Sequence, residues 1–480
     1  MQRRKTSTTI AITALAAVVM TMIAASPAHA DPERRAAGSD SDSLRWSWIH
    51  TSRYGDIIRK TDRVTYTDAG AFTPIGCDAT ADGLPDIVFA NGEGLHVLGY
   101  IPYGDPADEV TRTLAEQNEL VTIPRPEDSQ GFGKLVTCLP GSAKGSAMIG
   151  VSDETRVYLY APGAEGSTPV LVKTIDIGER ITALAGGPRN ALSPSIAIGT
   201  AKGVSVVKTE SLLPNGGSVG LSETDPQTWS IDGSQGLSII ALETARGHYA
   251  VGSPASRTVF VASAATKSAQ FTKKAIRIED KAEAADTAFG ASLAAIADLD
   301  GDGTPNLAIG APGANGGRGA VALVTTPDSG SITVTTSSQD SSPVVNELGG
   351  DAGFLLLRGS AGRLGASLAW IDGGTEAGAL LVGHPQDPEH TGGVIISQKA
   401  LNRNYNTGQG ITDIPSGQMA TIASAEGGEG DAGSRVGIIP RRGDDPLVGL
   451  YTADSTNRVD VWTVDMSRQS EPTHDEDEPI

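Results

Sequence analysis

Asp298, Asp300 and Asp302 fall at alternate positions of one short segment, followed by Gly303, Thr304 and Asn306. Three carboxylates, a backbone carbonyl at Thr304 and an amide oxygen at Asn306 make a set of hard oxygen donors. Such a set suits Ca²⁺ better than Mg²⁺, which demands a tight octahedron and keeps its waters. Without a cation the same residues would be a solvated acidic turn in which each charge opposes its neighbours' ionisation. An EF-hand loop also carries glycine at its sixth position, but its twelfth position here is Ile309 rather than a bidentate Glu. Strand-like residues flank the segment as well, so an EF-hand is rejected. No water-activating base stands in the segment, so the ion it suits is structural.

The elements that hold this loop are short strands. Phe289-Gly290 opens the first, Leu307-Ala308-Ile309-Gly310 forms the second and runs into Ala311-Pro312, and Gly319-Ala320-Val321 starts the third. The second-strand core recurs six times: Ile87-Val88-Phe89-Ala90, Ala147-Met148-Ile149-Gly150, Ile196-Ala197-Ile198-Gly199, Tyr249-Ala250-Val251-Gly252, Leu380-Leu381-Val382-Gly383 and Pro446-Leu447-Val448-Gly449. Closing residues at 90, 150, 199, 252, 310, 383 and 449 lie 49 to 73 residues apart, room for four strands and variable loops per unit. Third-strand patterns follow most copies, as in Arg156–Tyr160, Gly203–Val207, Thr258–Val261, Gly393–Ile396 and Arg458–Trp462. The opening motif survives best at Phe132-Gly133 and at Leu364-Gly365.

Residues 288 to 325 resemble an FG-GAP repeat, the unit of the integrin α-subunit β-propeller. A propeller unit needs neighbours to bury its faces. The fold expected is therefore all-β, a seven-bladed β-propeller of FG-GAP/integrin α type spanning residues 44–465. Miscounting one decayed unit would make it six or eight blades. Closing the ring protects sheet edges that isolated blades would expose. Leu44–Ile49 alternates bulky and polar residues; with the strand-like Arg63–Thr67 it is expected to complete the last blade. Aligning Asp86 with Asn306 gives a second calcium loop in the first unit, with Asp78, Thr80, Asp82 and Asp86 as ligands and Thr80 replacing the usual Asp or Asn.

Composition and ends set the surroundings. The N-terminus has Arg3, Arg4 and Lys5, an apolar run from Ile10 to Ala25, and Ala28-His29-Ala30. That reads as a secretory signal peptide over residues 1–30 and implies a secreted, extracellular protein. Residues 31–43 read as a disordered lead-in and 466–480 as an acidic disordered tail. No later apolar run reaches membrane-spanning length. A net charge of −20 argues against nucleic acid and anionic membranes as partners. Fifty-nine glycines in 480 residues, about 12% against a usual ~7%, imply many tight turns.

Cys77 and Cys138, the only cysteines, are an even pair in a chain read as exported. Counting back from the aligned second strands puts both near the ends of first strands in successive units, where they would bridge. Other motifs are weak. Gly216–Gly220 matches G-x-S-x-G in a glycine-rich connector without the strand and helix a nucleophile elbow needs. Gly428–Gly433 matches G-x-G-x-x-G without a βαβ frame. His384 reads as a blade-edge turn residue, and Arg442-Gly443-Asp444 as an accidental charged turn rather than an integrin ligand. The resemblance implies a non-enzymatic binding or adhesion module with an extracellular protein or carbohydrate partner. A hydrolase or lyase with a site in the central channel, and an envelope scaffold, are the competing readings.

Overall fold

A computed structural model describes residues 59–67, 74–99, 109–113, 120–140, 147–163, 168–187, 195–209, 217–244, 247–282, 286–326, 331–336, 354–359, 362–372, 378–385, 392–398, 401–402, 412–413, 419–423, 433–439, 447–453 and 458–465. Among them the strands form seven separate sheets of four or five strands each. The first strands of the seven, Ile75–Cys77, Val136–Pro140, Ile181–Gly186, Ser238–Leu242, Ser292–Ile296, Leu368–Ile371 and Arg435–Ile439, touch one another in sequence, the last against the first. That closed circuit is a seven-bladed β-propeller, with the first strands lining the axis. The expected signal peptide, lead-in, Leu44–Ile49 and acidic tail all lie outside the described residues, as does Arg442-Gly443-Asp444.

Burial explains why the second-strand cores were so visible. Asn306–Ala311 in blade 5 is buried at every position, because sheets stack on both of its faces. Its Leu307 and Ile309 pack toward blade 4 with Val259 and Ile278, while Ala308 packs toward blade 6 with Leu380 and Val382. The axial strands alternate instead: Ile181–Gly186 is buried at every second residue, with the others more open toward the channel.

The Phe-Gly and closing-glycine positions are two halves of one blade-to-blade joint. Ser292 Oγ donates to Gly365 O at 2.8 Å, and a Cβ on Gly310 would stand 2.2 Å from that same carbonyl. Ser238 with Gly290 O (2.7 Å) and Ser367 with Gly433 O (2.9 Å) repeat the contact at the neighbouring joints. Gly433, the last residue of the G-x-G-x-x-G match, is thus the opening glycine of blade 7.

Blade 7 is closed by the N-terminal strand Arg59–Thr67, antiparallel to Val459–Asp465 with Val64 opposite Val461. The seventh unit needs a correction of frame. Gly449 pairs with Ile439 and Ala453 with Arg435, as Asn306 pairs with Ile296 and Gly310 with Ser292. Its true core is therefore Leu450–Ala453, four residues beyond Pro446–Gly449, because two successive apolar runs fit the pattern equally well.

A further regularity was not expected. Glu109–Thr113, Ser218–Gly220, Ser331–Val334 and Thr412–Asp413 each lie between the third and fourth strands of their own blade. Each adds a parallel strand to the outer edge of the blade before it. These connections cover edges that would otherwise offer free N–H and C=O groups. The G-x-S-x-G match falls in one of them, so Ser218 lies in an edge strand rather than a flexible loop. His384 ends the strand Ala379–His384 opposite Gly392, and it is buried, not a turn residue.

Candidate metal centre

The loop joining the first two strands of blade 5 is folded around its own carboxylates. Asp298 Oδ1 accepts N–H groups from Gly301 (2.6 Å) and Asp302 (3.2 Å), and its Oδ2 accepts that of Gly303 (2.7 Å). Gly301 and Gly303 adopt φ of 79° and 83°, in the left-handed region that disfavours any residue with a Cβ. Thr304 donates both its N–H (2.7 Å) and its hydroxyl (2.6 Å) to Asp302 Oδ1. Buried Asn306 takes the Leu299 N–H on its amide oxygen at 2.6 Å, bracing the loop against the second strand.

One participant has no signal in the loop itself. Thr325, just beyond the third strand Ala320–Val324, donates its hydroxyl to Asp300 Oδ2 at 2.6 Å and accepts from Asn306 Nδ2 at 3.5 Å. A hydroxyl on the strand next to the loop is the only hint the sequence holds.

Oxygen atoms of Asp298, Asp300 and Asp302 all lie within 4.8 Å of one another, the one such acidic cluster among the described residues. Burial opposes charge on Asp298, yet the N–H groups of Gly303, Gly301 and Asp302 and a hydrogen bond from Asp300 hold it below the usual carboxylate range. Asp300 is pushed up, first by burial and then by its hydrogen bond to Asp298 and by the charges of Asp302 and Asp298, against the Thr325 hydroxyl. A divalent cation would replace that mutual repulsion by coordination. The cluster therefore fits Ca²⁺, with the three carboxylates as ligands and Thr304 and Thr325 holding two of them in place.

The first-blade loop repeats the frame with fewer contacts. Asp78 Oδ2 accepts the Gly83 N–H at 3.1 Å and Asp82 Oδ1 that of Leu84 at 2.7 Å. Asp86, the counterpart of Asn306, accepts from the N–H groups of Ala79 (2.8 Å) and Thr80 (3.0 Å) and from the Thr80 hydroxyl (3.2 Å). The Thr80 hydroxyl thus braces Asp86 from within the loop. Asp78 Oδ1 is buried with no hydrogen-bond partner. Burial, against the N–H groups of Thr80 and Ala79, raises Asp86 to about 6. Ala81, at φ 59°, occupies the place of Gly301.

Beside this loop, Cys77 and Cys138 form the disulfide expected of them, with Cα atoms 6.4 Å apart across the joint of blades 1 and 2. Asp78 O accepts the Ala147 N–H at 2.8 Å, tying the loop's first residue to blade 2 as well.

The axial cavity, about 420 Å³, is lined by first strands of several blades, including Ile75, Leu293, Leu368, Trp370 and Val436. Among the described residues no helix is long and apolar enough to cross a membrane.

Compared with known proteins, residues 289–324 match the FG-GAP repeat. No curated protein matches the chain by sequence. Among solved structures it is similar to BBS1N from a lead-soaked crystal of its complex with ARL6DN: 10% identity, 87% of this chain and 99% of that one, TM-score 0.48. A mercury-soaked crystal of the same complex gives 9% identity, 86% and 98% coverage, and a TM-score of 0.46. The chain is a seven-bladed β-propeller whose fifth blade carries an FG-GAP repeat.

Proposed function

We propose that this chain is a secreted binding module whose propeller is stabilised by Ca²⁺ held at Asp298, Asp300 and Asp302. The observation that carries the reading is the convergence of those three carboxylates in a loop pre-shaped by backbone N–H groups. The basic start, apolar run and Ala28-His29-Ala30 of the N-terminus support export. A disulfide between blades 1 and 2 is in keeping with an oxidising compartment.

The role is binding rather than catalysis. Both calcium loops are engaged in shaping turns, and the axial cavity is lined mainly by apolar side chains. Loops at the blade ends are then the surfaces for an extracellular protein or carbohydrate. Capture from extracellular extracts on the immobilised full chain, with and without calcium, tests the reading. A partner retained in calcium and released by its removal is expected. Turnover on hydrolase or lyase substrate panels, abolished by a single carboxylate change, would replace binding by catalysis.

A further inference from the structure

Three arginines stand on backbone segments that come together at the opposite end of blade 5 from its acidic loop. Arg318 lies in the connection between the second and third strands, Arg358 ends the fourth strand Phe354–Arg358, and Arg363 follows in the passage to blade 6. Their backbones are locked together. Leu364 N–H donates to Arg318 O (2.9 Å), Arg363 N–H to Gly317 O (3.0 Å) and Gly359 N–H to Gly319 O (3.0 Å). A Cβ on Gly359 would lie 2.2 Å from Arg318 O, so the two connections are in direct contact.

The side chains have no ionic partners among the described residues. Arg318 and Arg363 are exposed, and Arg363 sits at φ 61°, a conformation unusual for a residue with a Cβ. Arg358 is partly buried, and its Nε and Nη2 are hidden from solvent with no hydrogen-bond partner. A guanidinium does not lose its proton, so two hidden N–H donors on a fixed charge are costly unless something accepts from them. In a chain of net charge −20, three arginines at one junction without an ionic partner among the described residues are a local reversal of sign.

We propose that this junction is a binding site for an oxyanion, a carboxylate, phosphate or sulfate group on the ligand. Arg358 turns outward to receive it as a planar fork, since its Nε and Nη2 edge is closed to solvent as it stands, and Arg318 and Arg363 complete the neutralisation from the surface. Guanidinium Nε and one terminal nitrogen match the paired oxygens of such groups in geometry as well as charge. The site needs no calcium, so it stands apart from the metal centre. Asp413 lies in register with Arg358 on the added parallel strand. An internal pairing of the guanidinium is the competing outcome.

The test is calorimetric titration of the full chain, freed of calcium on a chelating resin, with sulfate, inorganic phosphate and acetate at constant ionic strength. Saturable binding of at least one of these, absent with chloride, is expected. Arg358→Met should weaken it by about tenfold or more, the loss of a bidentate charged contact. Arg318→Gln and Arg363→Gln, both at exposed positions, should each weaken it by a smaller factor without altering the anion-free melting temperature. Arg358→Met should melt no lower than the parent without anion, because it removes an unpaired buried charge. No saturable heat from the parent, or unchanged binding by all three variants, overturns the proposal. So does a lower anion-free melting temperature for Arg358→Met, which would show the guanidinium paired inside the fold.

Discussion

The acidic loops of blades 5 and 1 share a frame and differ in what fills it. In both, the first Asp accepts the N–H of a left-handed glycine, Gly303 or Gly83, and the third binds the residue two further on. In blade 5 three carboxylates converge and every loop turn that needs a glycine has one. Blade 1 has Thr80 for Asp300, Ala81 for Gly301, and a buried carboxylate, Asp86, where blade 5 has neutral Asn306. Its loop is instead anchored from outside, by the Cys77–Cys138 bridge and by Ala147. The comparison teaches that one loop shape can be built around converging carboxylates or anchored by cross-links to the next blade.

The sharpest way to break that comparison is to remove the bridge. Closing a loop between residues 61 apart should contribute about 4 kcal/mol through the unfolded state. Cys77→Ser with Cys138→Ser should lower the denaturation midpoint accordingly, and it should loosen the blade-1 loop more than the blade-5 loop, read as faster amide exchange at Gly83 than at Gly303. A midpoint unchanged by reduction would mean that the ring needs no staple there.

Asp86 comes next. Burial holds its folded pKa at about 6, above the ordinary 3.8 of an aspartate, so the protonated form is the one the fold favours. The stability tied to that proton is present below about pH 4 and lost as pH rises through 6. Without calcium, Asp86→Asn should therefore stabilise the chain at pH 7.5, by at most about 3 kcal/mol, and have little effect at pH 4. Urea midpoints at the two pH values would decide it. An equal effect at both would mean that the carboxylate is not strained.

Backbone exchange between the loops gives the smallest effects. Ala81→Gly should relieve a left-handed alanine and raise stability by roughly 0.5–1 kcal/mol, while Gly301→Ala should cost about 1 kcal/mol. Paired melting curves of the two variants would show opposite signs. Shifts of the same sign would contradict the equivalence of the two positions.

Much of this was legible because the physics was local. Asp298, Asp300 and Asp302 announce themselves by spacing, and Leu307–Gly310 and its copies by burial on both faces of the strand. The pairing of Cys77 with Cys138 followed from aligning successive units. What stayed hidden depends on distant partners. The four added parallel strands are two to five residues long and take their shape from the edge they meet. Thr325 reaches Asp300 only because the third strand folds back beside the loop. In blade 7 the run Leu447-Val448 imitates the core that Leu450–Ala453 supplies, and only strand register separates them.

The central claim, that blade 5 holds a structural Ca²⁺, is tested most directly by calcium titration of the metal-free chain beside Asp302→Ala and Asp82→Ala. At 100 times its Kd the ion should add about 2.7 kcal/mol to the parent's stability. Asp302→Ala should lose most of that gain, and Asp82→Ala little of it. A parent that carries no calcium and melts identically with and without the ion would reduce Asp298, Asp300 and Asp302 to an acidic turn.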